Sequence, residues 1–362
     1  KRRSGVLSAA WSVALLVGLL ASGGSTALRS IAAQWSPSVA TAPMTVAIYV
    51  TLLAIVHEVA TLPLAWYGGH ALERRFGLSS QSLSAWCADQ LKGLALAIVL
   101  GIVAAQITYG FIRLSPDGWW WSTGLVFALL IVGLANLGPV LLMPLFYSIK
   151  PLDREALRLR LLDLARRAGA RVLGVYEWGL GRETRKANAA LAGLGATRRI
   201  LVSDTMLAEY SDDEIEVVLA HELAHHVHGD IWKGLVFESL LILVGAWAAS
   251  TVLPWTVSPL GLTGVDDVAG LPVLMIVTGA LSLLLMPLAH AISRAHERRA
   301  DRFALTLTKN PAAFVSAMRR LGAQNLAEEQ PSQLVQWLFY SHPPVAERIG
   351  AARRFELERG TS

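Results

Sequence analysis

The sequence predicts a mainly α-helical integral membrane protein whose spans carry one polar module with a small β-sheet. Three observations lead there. First, 54% of the 362 residues are hydrophobic and 16% are charged, whereas soluble domains carry roughly 25% charged residues. Second, about six apolar runs approach or exceed the ~20 residues that a helix needs to cross a bilayer. Third, residues 150–233 are charged and mixed, with short alternating stretches that read as strands. One cysteine, Cys87, excludes an internal disulfide and a cysteine metal cluster. A net charge of +5 reads as basic faces beside a membrane, with no nucleic-acid partner.

Lys1-Arg2-Arg3 precedes the first run, Val6 to Ala21, read as an uncleaved span. The second run, Met44 to Tyr67, has Pro63 near its end and contains His57 and Glu58. Ionisable groups at bilayer depth mark a functional pair, or a pair facing a polar cavity or each other. A polar, basic loop follows at 68–91, then a third span, Leu91 to Ile112. Trp119-Trp120-Trp121 reads as an interfacial belt opening a fourth span to Phe146, with kinks expected at Pro139 and Pro144.

In the polar module, Asp153 to Ala168 reads as an amphipathic helix. Arg171 to Trp178, Lys186 to Leu191 and Arg198 to Ser203 read as strands. The fifth span, Leu235 to Leu253, is expected to follow the next helix directly, and the sixth covers Leu271 to Ile292. The tail reads as helices at Ser293 to Thr308, Pro311 to Leu321 with Asn310 as cap, and Pro344 to Glu358. The chain therefore divides into a four-span region (1–149), a module (150–234), two spans (235–292) and a helical tail (293–362). Lys and Arg gather at the N-terminus, the 68–91 loop, the module and the tail, so all four are expected on the cytoplasmic side.

The chemistry centres on His221-Glu222-Leu223-Ala224-His225. Residues four apart share a helix face, so two imidazoles can meet one metal ion. Glu222 sits beside the first, where its carboxylate can take a proton from a water that the metal activates. Ser211-Asp212-Asp213-Glu214 reads as a capping box ahead of Ile215, Val218 and Leu219, expected to pack inward. His226 points about 100° away from His225, and His228 lies about 10 Å up the axis from His221, so neither suits the same ion.

A third ligand should come from another helix. In Ser293-Arg294-Ala295-His296-Glu297-Arg298-Arg299-Ala300-Asp301, Glu297 can complete a His, His, Glu set. Asp301, four residues on, can accept the free N–H of a ligand imidazole. Farther along, Ser341-His342-Pro343-Pro344-Val345-Ala346-Glu347-Arg348 offers His342 and Arg348 as donors to a developing oxyanion.

HELAH, SRxxExxAD and SHPPxxERI in this order resemble the type I CAAX prenyl endopeptidases, membrane zinc proteases of the gluzincin group. Residues 186–207, KANAALAGLGATRRILVSDTML, resemble that family's Asn-Ala segment and following strand. Leu62-Pro63, Arg75-Phe76-Gly77-Leu78-Ser79 and Gln81 to Lys92 resemble its membrane region. The resemblance covers nearly the whole chain. It implies a helical membrane chamber with one inward-facing zinc, His221, His225 and Glu297 as ligands, and Glu222 as base. It also implies His342 and Arg348 as transition-state donors, and Asn188 and Ala189 binding substrate backbone by strand addition. The expected partners are a peptide or protein substrate, prenylated or membrane-associated, and lipid. Six spans are counted where eukaryotic members have seven, and the Ala-, Leu- and Arg-rich composition reads as bacterial.

Two other enzyme readings and one non-enzyme reading compete. HtpX-type quality-control proteases share the zinc motifs in a shorter chain. Site-2-type proteases place HExxH within a span, whereas His226, His228, Asp230 and Lys233 make these flanks polar. A metal-binding transporter or sensor would need ligands but no catalytic base, and Glu222 argues against it.

Overall fold

In a computed structural model, residues 2–36, 41–181, 184, 187–193, 198–324, 328 and 331–360 are described. Helix α1 (Arg2–Ala21) and α2 (Gly24–Gln34) meet at Gly23, which takes φ +72 at no steric cost to a glycine. Helix α3 (Thr41–Ala65) contains Pro63 and continues through a π-helical turn, Trp66–Ala71, into α4 (Leu72–Arg75). Proline cannot donate to the carbonyl four residues back, and the widened turn follows directly. Helix α5 (Leu83–Leu114) starts eight residues before the expected span, because Ser82 caps it by accepting Ala85 N–H at 3.2 Å. Helix α6 (Trp119–Leu141) ends before Pro144, which lies in the first turn of the short α7 (Met143–Phe146).

The polar module opens with β1 (Ser148–Pro151), a strand absent from the sequence expectations. It continues with α8 (Glu155–Arg167), β2 (Val175–Gly179), β3 (Ala189–Ala192), β4 (Arg199–Ser203), α9 (Asp204–Glu209) and α10 (Asp212–Val227). The expected third-strand start at Lys186 lies outside the described residues. Helix α10 does not run on into the fifth span. Gly229 at φ +68 breaks the chain before α11 (Asp230–Thr256). After a loop, α12 (Leu271–Thr308) is one helix of 38 residues, so the expected sixth span and the first tail helix are continuous through Ser293. Helices α13 (Pro311–Gln324), α14 (Gln333–Phe339) and α15 (Val345–Gly360) complete the tail. Asn310 Oδ1 caps α13 by accepting Ala313 N–H at 3.0 Å.

Among the described residues, six helical stretches are long and apolar enough to cross a membrane. Four precede residue 139, as counted from the sequence. The chain forms two compact units. One comprises Lys1–Arg75, Ser82–Leu130 and Phe237–Leu284; the other comprises Phe76–Gln81, Ile131–Val236 and Leu285–Ser362.

In the first unit α3 packs on α5, α2 and α1 around Tyr49, Tyr109 and Ile112, each fully buried. Trp119 belongs to this core, while Trp121 is exposed. The Trp triplet is therefore not wholly an interfacial belt, since neighbours on a helix point about 100° apart.

In the second unit the sheet order is β1-β2-β4-β3, with β2 and β4 parallel and the other pairs antiparallel. Ile200 to Ser203 are all buried, as expected for an inner strand covered on both faces. Helix α10 lies in the middle of this unit. It packs on α8, α13 and β3, burying Ile215, Leu219 and Leu223 completely. Each such side chain contributes roughly 1.5–3 kcal/mol relative to exposure. The expected capping box is formed: Ser211 Oγ accepts Glu214 N–H at 3.3 Å, and Glu214 Oε2 accepts Ser211 N–H at 2.8 Å.

Candidate metal centre

All the residues of this centre belong to the second unit. Burial of one face of α10 fixes the rotation that turns His221 and His225 the same way. Their rings stand edge to face with centroids 4.9 Å apart and Nε2 atoms 3.3 Å apart. Helix α12 brings Glu297 to them. Its Oε2 lies 3.1 Å from His221 Nε2, and its Oε1 lies 3.3 Å from His225 Nε2. One donor atom from each of the three residues falls within 4.8 Å of the others.

This donor set fits a zinc-sized ion. Tetrahedral bonds of about 2.0–2.1 Å place neighbouring ligand atoms roughly 3.3 Å apart. Glu297 is 5% exposed, and beyond the imidazole of His221 its Oε2 has no hydrogen-bond partner among the described residues. With the Arg348 guanidinium 4.0 Å away, a carboxylate at that depth is costly without a closer cation.

Both imidazoles are backed by carboxylates. His221 Nδ1–H donates to Asp301 Oδ1 at 2.9 Å, as the sequence suggested. His225 Nδ1–H donates to Asp230 Oδ2 at 3.1 Å, a partner the sequence reading missed. Asp230 also accepts from Lys233 at 3.2 Å and from Arg299. With both Nδ1 atoms donating to carboxylates, both Nε2 atoms are directed to where a metal ion would sit, and an ion there would displace any proton they carry. Burial pulls the His221 pKa down, but the bonds to Asp301 and Glu297 outweigh it and raise the pKa to about 9. Burial pushes the Glu222 carboxyl above its usual range, although His221 and His225 oppose the shift. A basic carboxylate suits proton abstraction near neutrality.

The tail residues also converge. His342 Nε2 lies 3.3 Å from Glu297 Oε1, and its Nδ1 pairs with Ser341 Oγ at 2.9 Å. Arg348 donates to Asp301 through Nε at 2.9 Å and Nη2 at 2.5 Å. Its fork is therefore turned onto Asp301, and through it onto His221.

A cleft of about 310 Å³ opens beside this cluster, lined by Asn188, Ala189, Glu222, His342 and Arg348. Its apolar wall includes Val218, expected to pack inward, and Met206, Met318 and Leu321, which the sequence reading did not single out. Asn188 precedes β3, whose far side has no partner strand among the described residues. His226 and His228 stay outside the cluster, as expected; the His228 ring packs edge to face on Phe303 at 5.6 Å.

Two family models match the chain. Residues 151–356 match the model described as peptidase family M48, and these contain every residue of the cluster. The chain belongs to peptidase family M48. This family member is an integral membrane metalloendopeptidase, a hydrolase of peptide or protein substrates whose class works with a divalent metal.

Residues 1–148 match the CAAX prenyl protease N-terminal model, described as five membrane helices. That match favours the long-chain membrane protease over the shorter HtpX type. Among curated relatives, the metalloprotease YhfN of Bacillus subtilis, described as uncharacterized, is 30% identical over 312 residues. These are 85% of this chain and 73% of that one. CAAX prenyl protease 1 of Saccharomyces cerevisiae is 28% identical over 326 residues, 84% and 71% of the two chains. The crystal structure of Ste24p from S. mikatae shares the fold, with a TM-score of 0.87 at 22% identity. The match covers 97% of this chain and 86% of that one.

Proposed function

We propose that this M48 protease is a zinc endopeptidase of the bacterial cell membrane that cuts membrane-associated peptides on the cytoplasmic side. The observation that carries the metal assignment is the meeting of His221, His225 and Glu297 donor atoms within 4.8 Å. These three residues would hold one zinc per chain. When bound, zinc supplies Lewis acidity toward the scissile carbonyl and lowers the pKa of its water.

The chain's own groups do the rest. Glu222 takes the proton from the attacking water and delivers it to the leaving amine. His342, beside the cluster, donates to the oxygen on which charge develops. Arg348 holds Asp301, which in turn holds His221. Because Asn188 N–H and C=O turn toward Ser203, alternation turns the backbone groups of Ala189 outward. An extended substrate added there would lie along the cleft. The yeast relative is named a CAAX prenyl protease, and for this chain a prenylated peptide is one substrate to test. The cytoplasmic placement rests on Lys and Arg in the module and tail.

The test compares membranes holding the wild-type protein with membranes holding Glu222→Gln. New peptide termini should appear only with wild type, on proteins retained in the membrane. Identical sets of termini would overturn the assignment.

A further inference from the structure

His57 and Glu58 take no part in the metal centre, and both line a cavity of about 600 Å³ inside the first unit. Helices α1, α3, α5, α6, α11 and α12 supply its walls, which are largely apolar: Val50, Leu53, Ala104, Phe127, Leu241 and Leu274 among them. A second carboxylate, Glu238 on α11, lines the same cavity. Glu58 accepts from Gln90 at 3.4 Å, and His57 Nε2 pairs with Ser12 Oγ at 3.1 Å. Neither carboxylate has a cationic partner among the described residues, and Glu238 has no hydrogen-bond partner among them. Thr123 also faces the cavity, 2% exposed, its hydroxyl without a partner.

Small-molecule sites have this size and this mixture, apolar walls with a few placed polar groups. Carboxylates within a membrane span mark a site whose occupant compensates them. Glu238 is exposed and Glu58 half-buried; a purely aliphatic occupant would leave both without a cation, and an anionic head would add a third negative charge beside them. We infer that this cavity binds a single-chain cationic amphiphile, an alkylammonium in chemical class. Its head pairs with Glu58 and Glu238, and its chain lies along the apolar wall. The Thr123 hydroxyl supplies a further polar contact.

The protein in lipid nanodiscs is labelled with a photoreactive tetradecyltrimethylammonium, and the adducts are mapped by mass spectrometry. Labelled peptides should come from the helices that line the cavity, α1, α3, α5, α6, α11 and α12. Unlabelled tetradecyltrimethylammonium should compete and tetradecyl sulfate should not. Glu58→Gln combined with Glu238→Gln should cut cationic labelling at least tenfold while sparing a neutral probe of the same chain length. Ala104→Phe, which fills the cavity and leaves both carboxylates in place, should cut labelling by every probe. Equal labelling by cationic, neutral and anionic probes would overturn the proposal, as would adducts outside these helices. So would the carboxamide variants labelling like wild type. None of these readouts depends on peptide cleavage, so this proposal and the protease reading fail separately.

Discussion

His225 and Asp230 meet at 3.1 Å, Nδ1 to Oδ2, across the break in the chain at Gly229. Asp230 is 8% exposed and also takes Lys233 and Arg299. Its charge is therefore neutralised by fixed cations while one oxygen orients the imidazole. Asp230→Asn keeps the shape and loses the charge that makes His225 a better donor. Partners of this kind are worth 10–100-fold in metal affinity. Competition against a chelator of known affinity should show a loss in that range, with thermal stability of the metal-free protein little changed. Unaltered affinity would reduce Asp230 to a structural ion pair.

Glu222→Gln should keep stoichiometric zinc and lose peptide cleavage by 10²–10⁴-fold, the span typical of a removed acid–base group. His225→Ala should lose stoichiometric zinc, because one of three protein donors disappears. Metal analysis of the two purified variants separates the roles. Full occupancy in His225→Ala would refute its place as a ligand.

The local part of this site was legible because it is written in helical spacing. HExxH, the cap at Ser211 and the pair Glu297 and Asp301 each depend on residues three or four apart. Asp230 was not legible, since its partners lie across a glycine break and on the distant α12. That one helix runs on through Ser293 was not legible because composition changes there while helix propensity does not. Ala295 through Ala300 contains mostly good helix formers, with no glycine or proline to end the turn. Strand β1 escaped because it is four residues ending in Pro151, which only an edge strand tolerates.

The metal-free centre should bind zinc more tightly as pH rises. His221, with its pKa raised to about 9, carries a proton below that value, and zinc must displace it. With one such proton, apparent affinity should climb about tenfold per unit between roughly pH 6.5 and 9. The same shift gives the metal-free fold stability that is fully present below the unfolded value of 6.5 and lost as pH passes 9. Calorimetry in buffers of different ionisation enthalpy should register proton release at pH 7.5. Affinity flat across this window would show the imidazole to be already neutral.

Asn188→Ala should weaken substrate capture and leave the metal in place. Its side chain is exposed at the cleft, while its backbone is held by Ser203 N–H at 2.9 Å on one side. Losing one hydrogen bond to an extended peptide corresponds to about 0.5–1.5 kcal/mol, or up to roughly tenfold. The expected change is a rise in KM with kcat nearly constant. A fall in kcat at constant KM would place Asn188 in the chemical step.

Glu214 tests how much the start of the motif helix holds the site together. Its carboxylate caps Ser211 and accepts from Ser316 at 2.6 Å and Arg320 at 3.0 Å, so α10 and α13 are joined there. Burial opposes its ionisation, but the bonds from Ser316, Ser211 and Arg320 prevail and hold its pKa below the ordinary 4.5. A depressed carboxylate stabilises the fold above its unfolded pKa, and that stability drains away as pH falls through the folded value. Glu214→Ala should therefore cost about 1–3 kcal/mol near neutrality, combining a lost cap with charged hydrogen bonds left unmade. The gap from wild type should narrow below pH 4. Thermal unfolding in detergent at pH 7 and at pH 3.5 measures both points. A difference that stays constant with pH would mean that packing of the side chain, and not its charge, fastens the HExxH helix to the tail.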